Sequence, residues 1–495
     1  MVPFERGAIR TWCHLNNAAG TPSALYRATQ TRNMPSTGFG RSSQPAARST
    51  YQPYISSLNI KKPLPDDLLV PMTPQYPVPD SLLRHRPFVL YWNARIFSAF
   101  AFQMAGVAVG WEMYALTGDA FDLGLVGLVQ FLPAIVLIFV AGEMADRYDR
   151  RFILQCCQGV EALGAATLMV GSFGGWMSKE FILAAVFLIG AGRAFEAPTN
   201  QTLLPAVVPV ALFPRAVAAS STAQQAATIA GPALGGILYY VSPTSVYAIC
   251  FLLFVCAVLQ LFFVRMQRHV SGRQPLTLHT FFAGVSYIRE NRIILGVMSL
   301  DLFAVLLGGA MALLPIYAKD VFAVDSWGLG LLRAAPAVGA LTIMAALVYA
   351  PLTRKIGTIE FAAVACFGVA TIVFAISTSF WVSMVALVIL GSADAVSVVI
   401  RQTLVQLETP DDMRGRVSAV NSLFVGMSNQ VGDFRAGSMA AWLGAVPAVL
   451  IGGIGTVAVV VAGIRLFPQL YAVDGFHQRP NPKPRRSVAD LPGSS

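Results

Sequence analysis

A small set of ionisable side chains lies inside otherwise apolar runs: Arg95, Glu112, Glu161, Arg193, Glu196, Asp301, Arg333, Asp394, Arg401, Asp433 and Arg435. A charge in such surroundings is costly unless it is paired or can neutralise itself. These groups are therefore candidates for proton uptake, for binding a polar ligand, or for pairing with one another. Arg193 and Glu196 are three residues apart and share a helix face. They can satisfy each other, or act as a ligand contact beside a proton carrier. Asp301 is a lone carboxyl well inside its run, roughly 13 Å along a helix at 1.5 Å per residue. It suits proton pickup and release, and pairing with Arg95 or Arg333 is the competing role. Asp433 and Arg435 lie near one end of their run and read as structural or gating residues. Glu112 and Arg401 lie close to run ends and are expected to reach water. Asn93, Gln103, Arg193 and Asp394 are further candidates for contact with a bound molecule.

Other chemistries have little to stand on. His14, His85, His269, His279 and His477 all fall outside the apolar runs, so carboxylates must do any proton transfer. Cys156, Cys157, Cys250, Cys256 and Cys366 lie within apolar runs and Cys13 lies outside them, with no metal or disulfide spacing. They read as small packing residues. No G-x-x-x-x-G-K-S/T string is present to cradle ATP. No metal, cofactor or catalytic constellation is expected, and the chain does not read as an enzyme.

The elements that must position these residues are membrane helices. Only 12% of residues are charged and 55% are hydrophobic, against roughly a quarter charged in a soluble domain. The mean hydropathy is +0.62. Apolar stretches of near the twenty residues that cross a bilayer fall near 88–115, 121–145, 152–174, 180–204, 214–240, 245–265, 291–316, 326–350, 358–378, 380–404, 413–440 and 443–467. The fifth and eleventh are the weakest, being rich in Ala, Ser, Gly and Gln, a composition suited to helix contact within lipid.

The net charge of +10 would suggest nucleic acid in a soluble protein. Here the cations sit in short loops: Arg84 and Arg86, Arg147, Arg150 and Arg151, Arg265, Arg268 and Arg273, Arg354 and Lys355, Arg414 and Arg416, then Lys483, Arg485 and Arg486. The alternate loops lack Lys and Arg, apart from Lys179 and Lys319. Cationic loops stay in the cytoplasm, so both termini are expected inside, which requires an even number of spans.

The chain repeats itself. Gln201-Thr202-Leu203, Pro209, Arg215, Ala218 and Ser221 recur at an offset of 201 as Gln402-Thr403-Leu404, Pro410, Arg416, Ala419 and Ser422. Gly127-Leu128, Gln130 and Pro133 recur at an offset of 203 as Gly330-Leu331, Arg333 and Pro336. A parallel duplication of six-helix bundles is an arrangement in which a ligand site forms between halves and access alternates by rocking.

Two strings add detail. Between spans two and three runs Gly142-Glu143-Met144-Ala145-Asp146-Arg147-Tyr148-Asp149-Arg150-Arg151. Gly142 permits close helix approach. Asp146 is expected where a helix begins, where an anion is favoured, and Arg147, Arg150 and Arg151 can pair with acids to latch one state; a plain cationic loop is the simpler reading. Span five carries Gly231-Pro232-Ala233-Leu234-Gly235-Gly236, in which the glycines allow close packing and Pro232 frees a carbonyl. The first string resembles the G-x-x-x-D-R-x-G-R-R/K motif of the major facilitator superfamily, departing at Asp149, where that family has Gly. Its second copy, Ala350 to Gly357, is degenerate and lacks the Asp, which makes any latch asymmetric. The second string resembles the superfamily's G-P-x-x-G-G exporter motif. Leu300-Asp301-Leu302-Phe303, Leu314-Pro315-Ile316-Tyr317, Gly330 to Pro336 and Gly432 to Gly437 are similar to the subgroup containing the bacterial enterobactin exporter, over roughly residues 82–475.

The resemblance implies an all-α integral membrane fold of twelve transmembrane helices in two pseudo-symmetric six-helix bundles. It also implies export of a siderophore or drug-like small molecule driven by proton entry, with spans one, four, seven and ten lining the cavity. An importer or facilitator of the same fold is the alternative, and a non-transporting membrane receptor a more distant one. The expected organisation is an N-terminal extension over 1–80, disordered or not part of the mature protein, a first bundle over 81–265, a cytoplasmic loop with an amphipathic helix over 266–290, a second bundle over 291–475, and a cytoplasmic tail over 476–495. A single chain in the plasma membrane, meeting a small molecule, protons and lipid but no nucleic acid, completes the expectation.

Overall fold

A computed structural model of the chain describes residues 82–209, 212–264 and 278–476. The expected N-terminal extension and the C-terminal tail beyond Phe476 lie outside the described residues. Helices α1 (Arg86–Thr117), α2 (Ala120–Arg147), α3 (Arg150–Gly174), α4 (Lys179–Val207), α5 (Phe213–Val241) and α6 (Pro243–Phe262) form the first half. A short amphipathic helix, α7 (Leu278–Glu290), precedes the second half. That half comprises α8 (Arg292–Gly308), α9 (Ser326–Tyr349), α10 (Ile356–Ile376), α11 (Phe380–Glu408), α12 (Asp411–Leu443) and α13 (Ala445–Leu466). All of them fall within one compact unit.

Ten of the helices are long and apolar enough to cross a membrane by composition. The two that fall short, α5 and α12, are the weak fifth and eleventh spans. Both run helically at full length, 29 and 33 residues, and both face the opposite half. Their small residues let backbones approach where other helices would present bulk to lipid. Large aromatic side chains at helix ends, among them Trp176, Tyr240, Tyr349, Trp381 and Trp442, are exposed, as an interfacial belt requires.

The halves meet at the end that bears the arginine-free loops. There α2 starts against the end of α12, and a Cβ on Gly437 would lie 2.7 Å from the Ala120 carbonyl oxygen. On the other flank α5 ends against the start of α9: Ser326 donates to the Gly236 carbonyl at 2.9 Å. The Tyr114 hydroxyl, at the end of α1, donates to Asp320 across the same seam. The two lysines at this end are both engaged. Lys179 lies 3.2 Å from the buried Asp122, and Lys319 sits 5.4 Å from the Tyr114 ring centroid.

Helix α8 stops at Gly308, and Gly309 takes φ +40°, a left-handed value that glycine adopts readily. The chain continues through short helical turns over 310–321. The sequence expected one continuous span over 291–316. The Gly308-Gly309 pair breaks it, leaving the last carbonyls of α8 without helical partners.

Candidate functional site

In the first half three helices converge on two acids. Ser98 of α1 lies 3.1 Å from one oxygen of Glu196 on α4 and 3.4 Å from Glu161 on α3. Its single hydroxyl hydrogen can go to only one of them at a time. Arg193 donates to the other Glu196 oxygen at 2.5 Å, and its guanidinium stacks 4.0 Å from the Phe102 ring centroid. Asn200 donates to Glu196 at 3.3 Å, and Tyr91 donates to Asn200. Glu196 is thus fully engaged. Glu161 is 0% exposed, and its Oε1 has no hydrogen-bond partner. One arginine serves two buried carboxyls.

The second half holds a related cluster. Arg401 of α11 lies 3.4 Å from Asp301 of α8, an ion pair not aligned as a hydrogen bond, and donates to Asn421 of α12 at 3.1 Å. Ser397 donates to Glu360 of α10 at 2.7 Å. Asp301, Asp394 and Ser397 line a void of about 10 Å³, close to what one water molecule occupies.

Between the halves lies a cavity of about 190 Å³. Phe102, Gly106 and Gly110 of α1, Gly127 and Gln130 of α2, Met311 and Pro315 beyond α8, Arg333 of α9, and Gln430 and Asp433 of α12 line it. Arg333 spans the seam, donating to the Gly106 carbonyl at 2.6 Å. A single turn of α12 braces the break in α8. Arg435 donates to Leu306 O at 2.9 Å and to Leu307 O at 2.5 Å. Asp433 is within hydrogen-bonding reach of the Ala312 N–H on the other side.

The structure brings Arg193 and Glu196 together, and Asp301 and Asp394 around one void. It brings Arg95 to the edge of the first cluster, but neither Asn93 nor Gln103 into either cluster or into the cavity lining. Gln103 packs instead on α5, where a Cβ on Gly231 would lie 2.6 Å from its own Cβ. Arg95 lies beside the Tyr91 hydroxyl, and Asn93 is half-buried. Asp301 faces Arg401 rather than Arg95 or Arg333. Two expectations of water access fail: Glu112 is buried and accepts from the Tyr247 hydroxyl, and Arg401 is buried against Asp301. In each case a neighbouring helix covers a position that looks terminal on its own helix.

The loop motif needs a similar correction. Asp146 lies in the last turn of α2, and Asp149 caps α3 by accepting from the Arg151 N–H at 2.9 Å. The departure at this position therefore has a local cause, an N-cap aspartate. Gly142 lies on α2, while the side chains of Asp146 and Arg147 lie outside the described residues. Arg151 donates to Phe262 O and Val264 O at 2.7 and 2.9 Å, fastening the end of α6. Arg150 is half-buried in the first turn of α3. In the other motif Gly231 and Gly235 seat α5 on Gln103 and Met104 of α1, whereas Gly236 faces Ser326 and Gly330 of the opposite half. The Pro232 carbonyl lies against Gly330 at the same seam, 2.5 Å from where a Cβ would stand.

Ser98, Ser397 and Glu360 were not singled out by the sequence. A serine in a span carries no hydropathy signal. Glu360 sits in the first turns of span nine and looks terminal, yet it is 0% exposed.

Two pseudo-symmetric six-helix halves around a shared cavity define a transporter of the major facilitator fold. The chain belongs to the transmembrane secretion effector family of that superfamily, whose family model matches residues 79–489. It is 24% identical over 414 residues to the enterobactin exporter EntS of Citrobacter koseri, covering 81% of this chain and 96% of that protein. It is 25% identical over 248 residues to macrolide efflux protein A of Streptococcus pyogenes, covering 48% of this chain. That match spans 59% of the relative, under two thirds of its length. Among solved structures, a bacterial homologue of the iron transporter ferroportin in an inward-facing state aligns with a TM-score of 0.61 at 16% identity, over 79% of this chain and 100% of that one. A bacterial homologue of the lysosomal transporter Spinster, inward-facing and unoccupied, aligns with a TM-score of 0.60 at 14% identity, over 78% and 96%. The fold and family are those of multi-pass membrane transporters.

Proposed function

We propose that this protein exports a small organic molecule across the plasma membrane by alternating access, in exchange for protons, with both termini in the cytoplasm. The observation that carries the coupling is the Glu161–Glu196–Arg193 cluster. Two buried carboxyls share one arginine and one serine hydroxyl, and an isolated charge at this depth is costly. The surplus carboxyl is stable when it holds a proton, and it can release that proton when the halves rock and water reaches it. Closure at the arginine-free end, with cationic loops in the cytoplasm, corresponds to an inward-facing state. The direction of transport follows the relatives named as exporters and the Gly231–Gly236 motif.

The cavity lining is mainly apolar, with Arg333, Asp433, Gln130 and Gln430 as polar points. That mixture suits an amphipathic organic molecule, siderophore or drug-like. A volume of about 190 Å³ is below the ~300–1,000 Å³ of drug-sized pockets, so a larger substrate needs the halves to part. The test is uptake into everted vesicles under an imposed proton gradient, using a panel of catecholate siderophores and macrolides. Gradient-dependent uptake by the wild type and its loss in Glu161→Gln are expected. Uptake unaffected by the gradient, or equal in the variant, refutes the coupling; accumulation only in right-side-out vesicles makes the protein an importer.

A further inference from the structure

We propose that the second half contains its own proton-binding carboxyl, Glu360, so that protons load in both halves of the transporter rather than in one. This rests on the proton-coupled reading above, and it adds a site to it.

The two polar clusters occupy matching places in the duplicated fold. The offset of 201 that relates the repeated strings also relates Arg193, Glu196 and Asn200 of α4 to Asp394, Ser397 and Arg401 of α11. The offset of 203 relates Ser98 of α1 to Asp301 of α8. In each half, then, a serine on one helix reaches an acid on the third helix: Ser98 meets Glu161, and Ser397 meets Glu360. The serine and the acid have exchanged helices between the first and fourth positions of the repeat, and the polar arrangement has been kept.

Glu360 is 0% exposed, and its Oε2 has no hydrogen-bond partner. Its charged surroundings are few. Asp301 on α8 and Asp394 and Arg401 on α11 face it; α13, also packed on α10, carries only Arg465, in its last turn, and the segment after it brings Tyr471 and Asp474 to the start of α10. Arg401 is committed to Asp301 at 3.4 Å and to Asn421. That leaves Glu360 with a single neutral donor, Ser397, for two oxygens. A carboxyl so placed is accommodated as O–H and strained as a carboxylate. Ser397, its hydrogen-bond partner, also lines the one-water void beside Asp301 and Asp394. Loading forms one O–H bond on the Glu360 carboxylate with a proton from solvent, and unloading returns that proton to solvent.

The experiment is infrared difference spectroscopy of the purified full-length protein in lipid, between acid and alkaline buffer, following the C=O stretch of protonated carboxyl groups. Wild type, Glu161→Gln, Glu360→Gln and the double variant are compared. Each single substitution is expected to remove a separate component, the double both, and Glu360→Asp to retain a shifted one. If Glu360→Gln folds and leaves the spectrum unchanged, the proposal is overturned. If that variant does not fold, Ser397→Ala serves instead: loss of the hydroxyl should move the same component, and an unmoved spectrum overturns the proposal. The outcome is separable from that of the coupling itself. A Glu360 component present in a protein whose transport ignores the gradient upholds the site and removes the coupling.

Discussion

Gly330→Ala adds one methyl group where the halves are closest, and the structure fixes what that methyl meets. Its Cβ would lie 2.5 Å from the Pro232 carbonyl oxygen and 3.1 Å from Ala233 Cα. Carbon–oxygen contacts between helices settle at about 3.3–3.6 Å, so α5 and α9 must part by about 1 Å. Both atoms it meets are backbone or close to it, and no rotamer change relieves them. Overpacking of this kind costs about 1–3 kcal/mol. The cost is confined to the state in which these helices touch. A state open at this end is untouched, so its population relative to the closed one should rise about 5- to 150-fold. Spin labels at Val241→Cys, at the end of α5, and Trp442→Cys, at the end of α12, report the separation of the halves, in a background with the native cysteines replaced. Gly330→Ala should add or enlarge a long-distance component. Gly159→Ala is the control, because a Cβ there meets nothing within 4 Å. An unchanged distance distribution in a folded Gly330→Ala protein would refute the assignment of this seam as a contact that must open.

Three further substitutions probe the same framework. Asp301→Asn leaves Arg401 buried without its counter-charge and should cost about 3–5 kcal/mol, read as a lower melting temperature in detergent, with much of the loss recovered in Asp301→Asn/Arg401→Met; equal stability of the single variant would mean that the pair does not balance. Arg435→Met orphans two carbonyls at the α8 break, each worth about 1–3 kcal/mol, and should lower thermal stability well beyond the loss in Arg435→Lys. Tyr114→Phe removes a hydrogen bond to an acid worth about 1.5–3 kcal/mol, and in the spin-label assay should move the population in the same direction as Gly330→Ala.

Much of the fold was legible because it rests on hydropathy, loop charge and repetition, each of which acts over many residues. Even the polarity of α5 and α12 was informative, since small residues mark the helices that touch across the seam. What stayed hidden depends on neighbours from elsewhere in the chain. Glu112 and Arg401 look terminal on their own helices and are covered by others. Asp301 has several arginines to choose from in sequence, and only packing selects Arg401. Glu360 was passed over because one turn from a helix start usually means water. The break in α8 is written in Gly308-Gly309, yet a glycine pair within a span is ordinary until a partner such as Arg435 is seen taking up the freed carbonyls. Asp149 shows the reverse: a position that departs from the family pattern is explained by a cap that could have been read locally.

The bracing of α8 by α12 ties events in the cavity to the geometry of the break. Arg435 grips Leu306 and Leu307 before it, and Asp433, which faces Ala312 after it, also lines the cavity. The splint and the ligand wall are therefore one stretch of helix. A side chain that shapes the cavity wall thus sits two residues from the one that holds the broken span, so a substitution at Asp433 disturbs the wall and the brace together.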